Sequence, residues 1–474
     1  MYFDDSDFID ICHCTNVRFL QEKGKPMNLT AEEVRHFFGF SVLISCLKYP
    51  QIKMYWAKTT KVNSIANLMT RDRYFQIRSI LKVVIDADVP ENEKKADKLF
   101  KIRPLIDRIK KGCKSLPRCQ EVAIDEQMIP FTGMCHMKQF VRGKPNPDAF
   151  KNFVCATPKG LVLDFEIYQG KNTSLDNKVT NLGVGPSSVV KLSETLLERT
   201  HIYVDRYFTT LPLIEYMLNT KKMLLTGTIM KSRLPKAANL TSDTMMARLG
   251  RGSSAQDVRC DGNINIVQWY FMKSVILASS SLQIEASDDC RRWSKKDSKY
   301  LHVPRPNIVK KYNECMGGID LIDRMISYYR IGARSKKWTV KSIFHLFVLA
   351  IANSWIFYRD DRQKLGDRKI MKFLEFKVAV AELLLKSDKS ENYSTGISTL
   401  ATRSSSGPRP LSQSYFLQKN KPIEHFPALA SDLKNSMRCK NQGCKQKAKV
   451  FCEFCDVFLC LTGHKNCFKE FHLK

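Results

Sequence analysis

Four aspartates in three separated stretches carry the chemistry open to this chain. Asp125 closes Val122-Ala123-Ile124-Asp125, and Asp205 closes His201-Ile202-Tyr203-Val204-Asp205. Asp320 and Asp323 lie in Gly317-Gly318-Ile319-Asp320-Leu321-Ile322-Asp323. The first two each end a short apolar, β-branched run, which predicts a place at or near the C-terminal end of a strand. The last two are three residues apart in a stretch of helical period and are predicted to face the same way. Acids delivered by two strands and one helix can converge on two hard divalent cations, Mg²⁺ or Mn²⁺. Two such ions about 3.5–4 Å apart clamp the attacking and leaving oxygens of a phosphoryl transfer. Asp125 and Asp205 would hold metal, and Asp320, Asp323 or both would complete the site.

A second constellation closes the chain. Cys439, Cys444, Cys452, Cys455, Cys460, His464, Cys467 and His472 supply eight soft or borderline ligands. Tetrahedral Zn²⁺ takes four ligands, so two Zn²⁺ fit without remainder. Interleaved pairs predict a cross-brace: Cys439, Cys444, Cys460 and His464 on one ion, Cys452, Cys455, Cys467 and His472 on the other. Metal binding would supply the folding energy that so short a segment lacks. Lys440, Lys445, Lys447 and Lys449 suit contact with phosphates. A finger that is purely structural, or that binds histone tails or another protein, stays open beside that reading.

The formal net charge of +30 over 474 residues points to a polyanionic partner, with double-stranded DNA leading. At 43% hydrophobic the chain can bury real cores, and its length suggests several domains. Asp4, Asp5 and Asp7 stand where a secretory signal would be basic. The apolar run Ile343–Ile351 is too short to span a bilayer, which needs roughly 20 residues. No membrane role is expected, and the setting reads as intracellular. Outside the C-terminal cluster the cysteines are scattered in apolar or loop settings, as expected of buried thiols in a reducing compartment.

Elements to position these residues can be read from periodicity. Residues 1–118 read as helical, with a capping box at Thr30-Ala31-Glu32-Glu33 ahead of Val34, Phe37 and Phe38, and a second cap at Thr70. Residues 119–230 switch to strands at 121–125, 152–157, 161–168 and 201–205, a hairpin turn at Pro158-Lys159-Gly160, and helices at 187–198 and 211–218. Residues 231–312 are rich in Ser, Lys and Arg, with strand-like runs at 264–270 and 274–278. Residues 313–330 carry the helix of Asp320 and Asp323. Within 331–387, Trp338–Tyr358 reads as a helix apolar nearly all round, followed by another at 378–385. The Ser-rich stretch 388–435 is a linker, and 436–474 is the cysteine-rich module. Asp164 and Glu166, two apart on a strand, read as ordinary. The periodicity alone gives mixed α/β.

The wording of the motifs goes further. IDEQMIPF, YVDRYFTT, LLTGTIMKSRLP, VPRPNIVKKYNECMGGIDLIDRM and RSKKW, in this order, resemble the piggyBac family of transposases and transposable element-derived proteins. The resemblance runs from about Phe8 to the C-terminus. It implies an α/β RNase H-like catalytic core interrupted by an insertion domain at 231–312. A split all-α dimerisation/DNA-binding domain would flank that core, and a C-terminal cross-brace zinc finger would read terminal repeats. It assigns catalysis to Asp125, Asp205, Asp320 and Asp323, with DNA nicking, hairpin formation and insertion at TTAA. It also implies a nuclear homodimer. Trp338, after Arg334, Lys336 and Lys337, matches a family aromatic near the active site; it would stack on DNA bases above a basic grip, or else be a core tryptophan at a helix start. Two departures, Met134 after Gly133 and Ala149 before the strand at Lys151, fit an alternative. In that alternative the chain is a domesticated, catalytically silent DNA- or chromatin-binding protein.

Overall fold

The computed structural model describes residues 2–143, 146–173, 175, 181–295, 298–332, 335–386, 427–430, 435–452, 455–462 and 465–473. Arg334, His464 and most of 388–435 lie outside the described residues. The chain divides into two compact units, residues 1–391 and 392–474.

Helices α1 (Asp5–Lys23), α2 (Ala31–Leu47), α3 (Asn63–Ala66), α4 (Arg71–Ile80), α5 (Glu91–Ala96) and α6 (Arg103–Lys114) precede the first strand. The capping box is realised at α2: Glu33 N–H donates to Thr30 Oγ1, and Thr30 N–H donates to the Glu33 carboxylate. Val34, Phe37 and Phe38 are fully buried behind it.

Then come β1 (Glu121–Pro130), β2 (Gln139–Phe140), β3 (Asp148–Ala156), β4 (Val162–Ile167), α7 (Val184–Ser193), β5 (His201–Val204), α8 (Leu211–Asn219) and β6 (Leu224–Thr228). They are followed by α9 (Asp243–Leu249), β7 (Ser254–Val258), β8 (Asn265–Tyr270), β9 (Ser274–Ser279), β10 (Asp288–Ser294) and β11 (Lys299–Arg305). Helices α10 (Asn307–Cys315), α11 (Gly318–Tyr328), α12 (Trp338–Lys364) and α13 (Phe373–Leu385) complete the first unit.

One mixed sheet organises this unit in the order β2-β3-β1-β5-β6-β9-β8-β7, with β4 also paired to β3. β1, β5 and β6 are parallel; their neighbours are antiparallel. Three strands of the Ser/Lys/Arg-rich stretch thus extend the main sheet beyond β6, while the β10–β11 hairpin packs into a small separate core around Trp269 and Val303.

α12 is long and apolar enough to cross a membrane, although its longest apolar run looked too short in sequence. Most of its apolar window is buried inside the unit. Two buried polar side chains tie it to the sheet. Asn353 accepts from Val162 N–H at 2.6 Å and donates to Val162 O at 2.9 Å, covering backbone groups of β4. His345 reaches β1.

The start of α11 is fixed by a close approach. A Cβ on Gly318 would stand 2.2 Å from the carbonyl oxygen of Thr157, at the turn between β3 and β4. Only glycine lets the helix enter there.

Candidate active site and metal centre

Ile124 pairs with Val204 at the last register position between parallel β1 and β5. Asp125 and Asp205 each follow that pair by one residue, so they emerge side by side. Asp205 stands at the end of its strand, as expected. Asp125 does not: β1 continues to Pro130, because antiparallel pairing with β3 carries it past the end of β5. Local hydrogen bonds hold both half-buried carboxylates. Asp125 accepts from Glu126 N–H at 2.8 Å, and Asp205 accepts from Tyr207 N–H at 2.8 Å.

Their fields meet on two neighbours. Burial pushes the Tyr312 phenol up to about 12, with Asp205 and Asp125 adding to the rise against a hydrogen bond with Thr228. Burial pulls the Lys151 ammonium down, opposed by Glu126, Asp205 and Asp125. Lys151 Nζ lies 3.7 Å from Glu126 Oε2 and 3.7 Å from the centre of the Tyr207 ring.

Asp320 and Asp323 share a flank of α11 but differ in setting: Asp320 is exposed in the first turn, and Asp323 is half-buried. Asp323 Oδ1 accepts from Gln127 Nε2 at 2.6 Å. Gln127 is two residues beyond Asp125, on the same face of β1, roughly 6–7 Å further along. Gln127 Oε1 in turn accepts from Asn152 Nδ2 at 3.1 Å and from His345 Nε2 at 2.9 Å. A carboxylate accepts only, which fixes the Gln127 amide and makes His345 Nε2 the protonated nitrogen. Burial, reinforced by nearby Arg330, pulls the His345 imidazole down to about 3, so it stays neutral.

Spacing in the sequence does not reveal this relay; its one trace there is a lone His inside an apolar helix. Asp164 and Glu166, read as ordinary, are buried and share Lys110 Nζ at 3.5 and 2.7 Å, an ion triad tying β4 to α6.

Lys336 and Lys337 are exposed, and Lys337 Nζ donates to Ser79 O at 2.6 Å. Trp338 is half-buried and edge-on to Phe150 at 6.2 Å, and Phe150 stacks on Phe131 at 5.1 Å.

In the C-terminal unit, Cys439, Cys444, Cys460 and Cys467 are buried with all four sulfurs within 4.8 Å of one another. Cys444 and Cys460 are 3.9 Å apart, and sulfurs around a tetrahedral Zn²⁺ at 2.3 Å would be about 3.8 Å apart. Cys452, Cys455 and His472 form a second group. His472 Nδ1 donates to Phe468 O at 2.7 Å, leaving Nε2 to face Cys455 Sγ at 3.6 Å. That backbone bond is the usual support of a metal-ligating imidazole. The expected pairing is therefore corrected at Cys467, which joins the Cys439 group because it opens the helix Cys467–Leu473 while His472 lies one turn further on. Lys440, Lys445, Lys447 and Lys449 are all exposed. Among the described residues the four aspartates form no group as tight as these.

Residues 1–355 match a family model described as Transposase IS4. Over 478 residues the chain is 30% identical to piggyBac transposable element-derived protein 3 of Homo sapiens, covering 99% of this chain and 75% of that protein. The chain belongs to the piggyBac transposase family. PiggyBac transposable element-derived protein 2 of Homo sapiens is 28% identical over 368 residues, covering 76% of this chain and 60% of that protein. The fold matches a piggyBac transposase seen by cryo-EM in a synaptic complex with hairpin DNA. The TM-score is 0.67 at 21% identity, covering 97% of this chain and 95% of that one. The chain is thus a piggyBac-like transposase or a transposase-derived protein.

Proposed function

We propose that this chain is a DDE/D-type DNA transposase with an RNase H-like core, cutting and joining double-stranded DNA at a site built on Asp125, Asp205 and the acids of α11. The observation that carries this reading is the emergence of Asp125 and Asp205 from adjacent parallel strands, with Asp323 bonded one strand step away through Gln127. A donor set of carboxylate oxygens suits Mg²⁺ or Mn²⁺ and not a soft metal. Two such cations would supply Lewis acidity to the attacking hydroxyl and to the leaving 3′-oxygen of DNA. The chain's own part is positioning. Backbone N–H groups hold Asp125 and Asp205, Gln127 holds Asp323, and Asp320, exposed in the first turn of α11, would be the further acid.

DNA would lie against the basic stretch before α12, with Arg334, Lys336 and Lys337 on phosphates and Trp338 against a base. The C-terminal unit, holding two Zn²⁺, would read terminal repeats through Lys440, Lys445, Lys447 and Lys449. A homodimer would bring two DNA ends together, and such work belongs in the nucleus. Nicking, hairpin formation and insertion at TTAA are the steps the family implies.

The alternative is a transposase-derived binder without cleavage. It draws support from the human relatives, which are named as transposable element-derived, and from Met134, an apolar side chain that is 95% exposed. The test is a cleavage assay with Mg²⁺ or Mn²⁺ on DNA from the flanks of the chain's own locus, joined by TTAA. Wild type is run beside Asp205→Ala. Cleavage lost in the variant, with DNA binding kept, supports the transposase. Equal binding and no cleavage in either supports the binder.

A further inference from the structure

A cavity of about 750 Å³ opens between the end of α2, α4 and the segment joining α11 to α12. Five cations line it, namely Lys48, Lys53, Arg78, Arg330 and Lys341, and no Asp or Glu does. Among the described residues none of the five is paired with a carboxylate at salt-bridge distance. Arg330 and Lys341 also line a smaller cavity of about 130 Å³ against Phe344 and His345, so they mark the inner end. Arg330 Nε is buried and makes no hydrogen bond.

A donor left unpaired in a buried setting costs free energy, and two like charges facing one another cost more. Both costs register here. Burial pulls Arg330 down, with Asp323 the only acid opposing it, and burial then Arg330 pull Lys341 down. The outer cations are braced by rings: Arg78 lies over Phe75 at 4.5 Å and Lys48 over Tyr329 at 5.5 Å. A multiply charged anion would satisfy Arg330 Nε and separate the like charges. The guanidinium fork suits a tetrahedral oxyanion. The cavity is larger than one phosphate, and Ile44, Ile52 and Tyr49 give it an apolar wall, which suits a phosphate carried on a nucleotide unit.

We propose that this cavity binds the phosphate of a nucleotide unit, with Arg330 and Lys341 gripping it at the inner end and Lys48, Lys53 and Arg78 around the mouth. None of the four aspartates lines the cavity, although the charge of Asp323 reaches Arg330, and binding there does not depend on cleavage.

The test is binding by the full chain. Two probes distinguish a nucleic-acid strand from a free phosphate: a fluorescent 5′-phosphorylated oligo-dT, and sodium pyrophosphate followed by thermal unfolding against sodium chloride of equal ionic strength. Variants are Arg330→Gln, Lys341→Gln and the outer pair Lys48→Gln/Lys53→Gln. The control, Lys95→Gln/Lys98→Gln, removes two charges, as the outer pair does, at exposed positions elsewhere. A loss of about tenfold or more in oligonucleotide affinity in the cavity variants, and not in the control, supports the site with a strand as its source. A pyrophosphate-induced rise in melting temperature that the cavity variants alone lose supports it with free phosphate as the source. Equal weakening in cavity variants and control, for both probes, overturns it. If Arg330→Gln does not fold, the outer pair carries the test.

Discussion

Gln127 on β1 donates to Asp323 on α11 at 2.6 Å, across 196 residues of chain. The same side-chain amide accepts from His345 and Asn152. One uncharged residue thus links the strand of Asp125, the helix of Asp323 and the core helix α12.

Gln127→Leu removes three hydrogen bonds and strands buried polar partners. It is expected to destabilise the first unit by about 1–3 kcal/mol, read by urea unfolding. Under the proposed function it also lowers cleavage while leaving DNA affinity unchanged. A variant as stable and as active as wild type contradicts the relay.

Lys110 is expected to matter more than its plain setting in sequence suggests. Burial works against its charge, but Glu166 and Asp164 outweigh it and raise the ammonium. Lys110→Met leaves two carboxylates, each side chain 7% exposed, without their cation. A loss of about 3–5 kcal/mol in unfolding free energy is predicted.

Lys377 on α13 is fully buried and donates to Tyr329 O. Burial holds its ammonium down to about 8, against an ordinary value of 10.5. Between those values the unfolded chain binds more protons than the folded one, so stability rises with pH across the window. Lys377→Met is predicted to flatten that rise. Urea unfolding of both proteins at pH 7.5 and pH 10 checks it, and equal slopes contradict it.

How much of this was readable in the sequence follows from distance along the chain. The capping box of Thr30 and Glu33, and the apolar face of Val34, Phe37 and Phe38 behind it, are local and were legible. So was Asp205 at a strand end, since β5 stops within its own apolar run. Asp125 lies inside its strand and not at its end because β1 is prolonged by β3, a partner outside its own local run. The bonds of Gln127 to Asp323 and His345 join residues 196 and 218 apart, and no spacing rule reaches that far. Eight candidate ligands are plain from type and count, and seven of them gather in two groups among the described residues. Their grouping is not plain, because spacing does not say which way the final helix turns Cys467.

That grouping makes its own prediction. Cys444→Ser/Cys467→Ser touches one sulfur group and should lose one zinc equivalent after desalting. Cys452→Ser/Cys467→Ser touches both and should lose two. Metal analysis by atomic absorption reads the difference, and the reverse pattern restores the interleaved pairing expected from sequence.

The central claim is that Asp125 and Asp205 are metal ligands of one DNA-cutting site. Its most direct test replaces each in turn by cysteine and measures cleavage of TTAA-flanked donor DNA in Mg²⁺ and in Mn²⁺. A thiolate is a poor ligand for Mg²⁺ and a better one for softer Mn²⁺. The account predicts that Asp125→Cys and Asp205→Cys each lose about 10²-fold or more in Mg²⁺ and partly recover in Mn²⁺. Full Mg²⁺-dependent cleavage by either variant would contradict it.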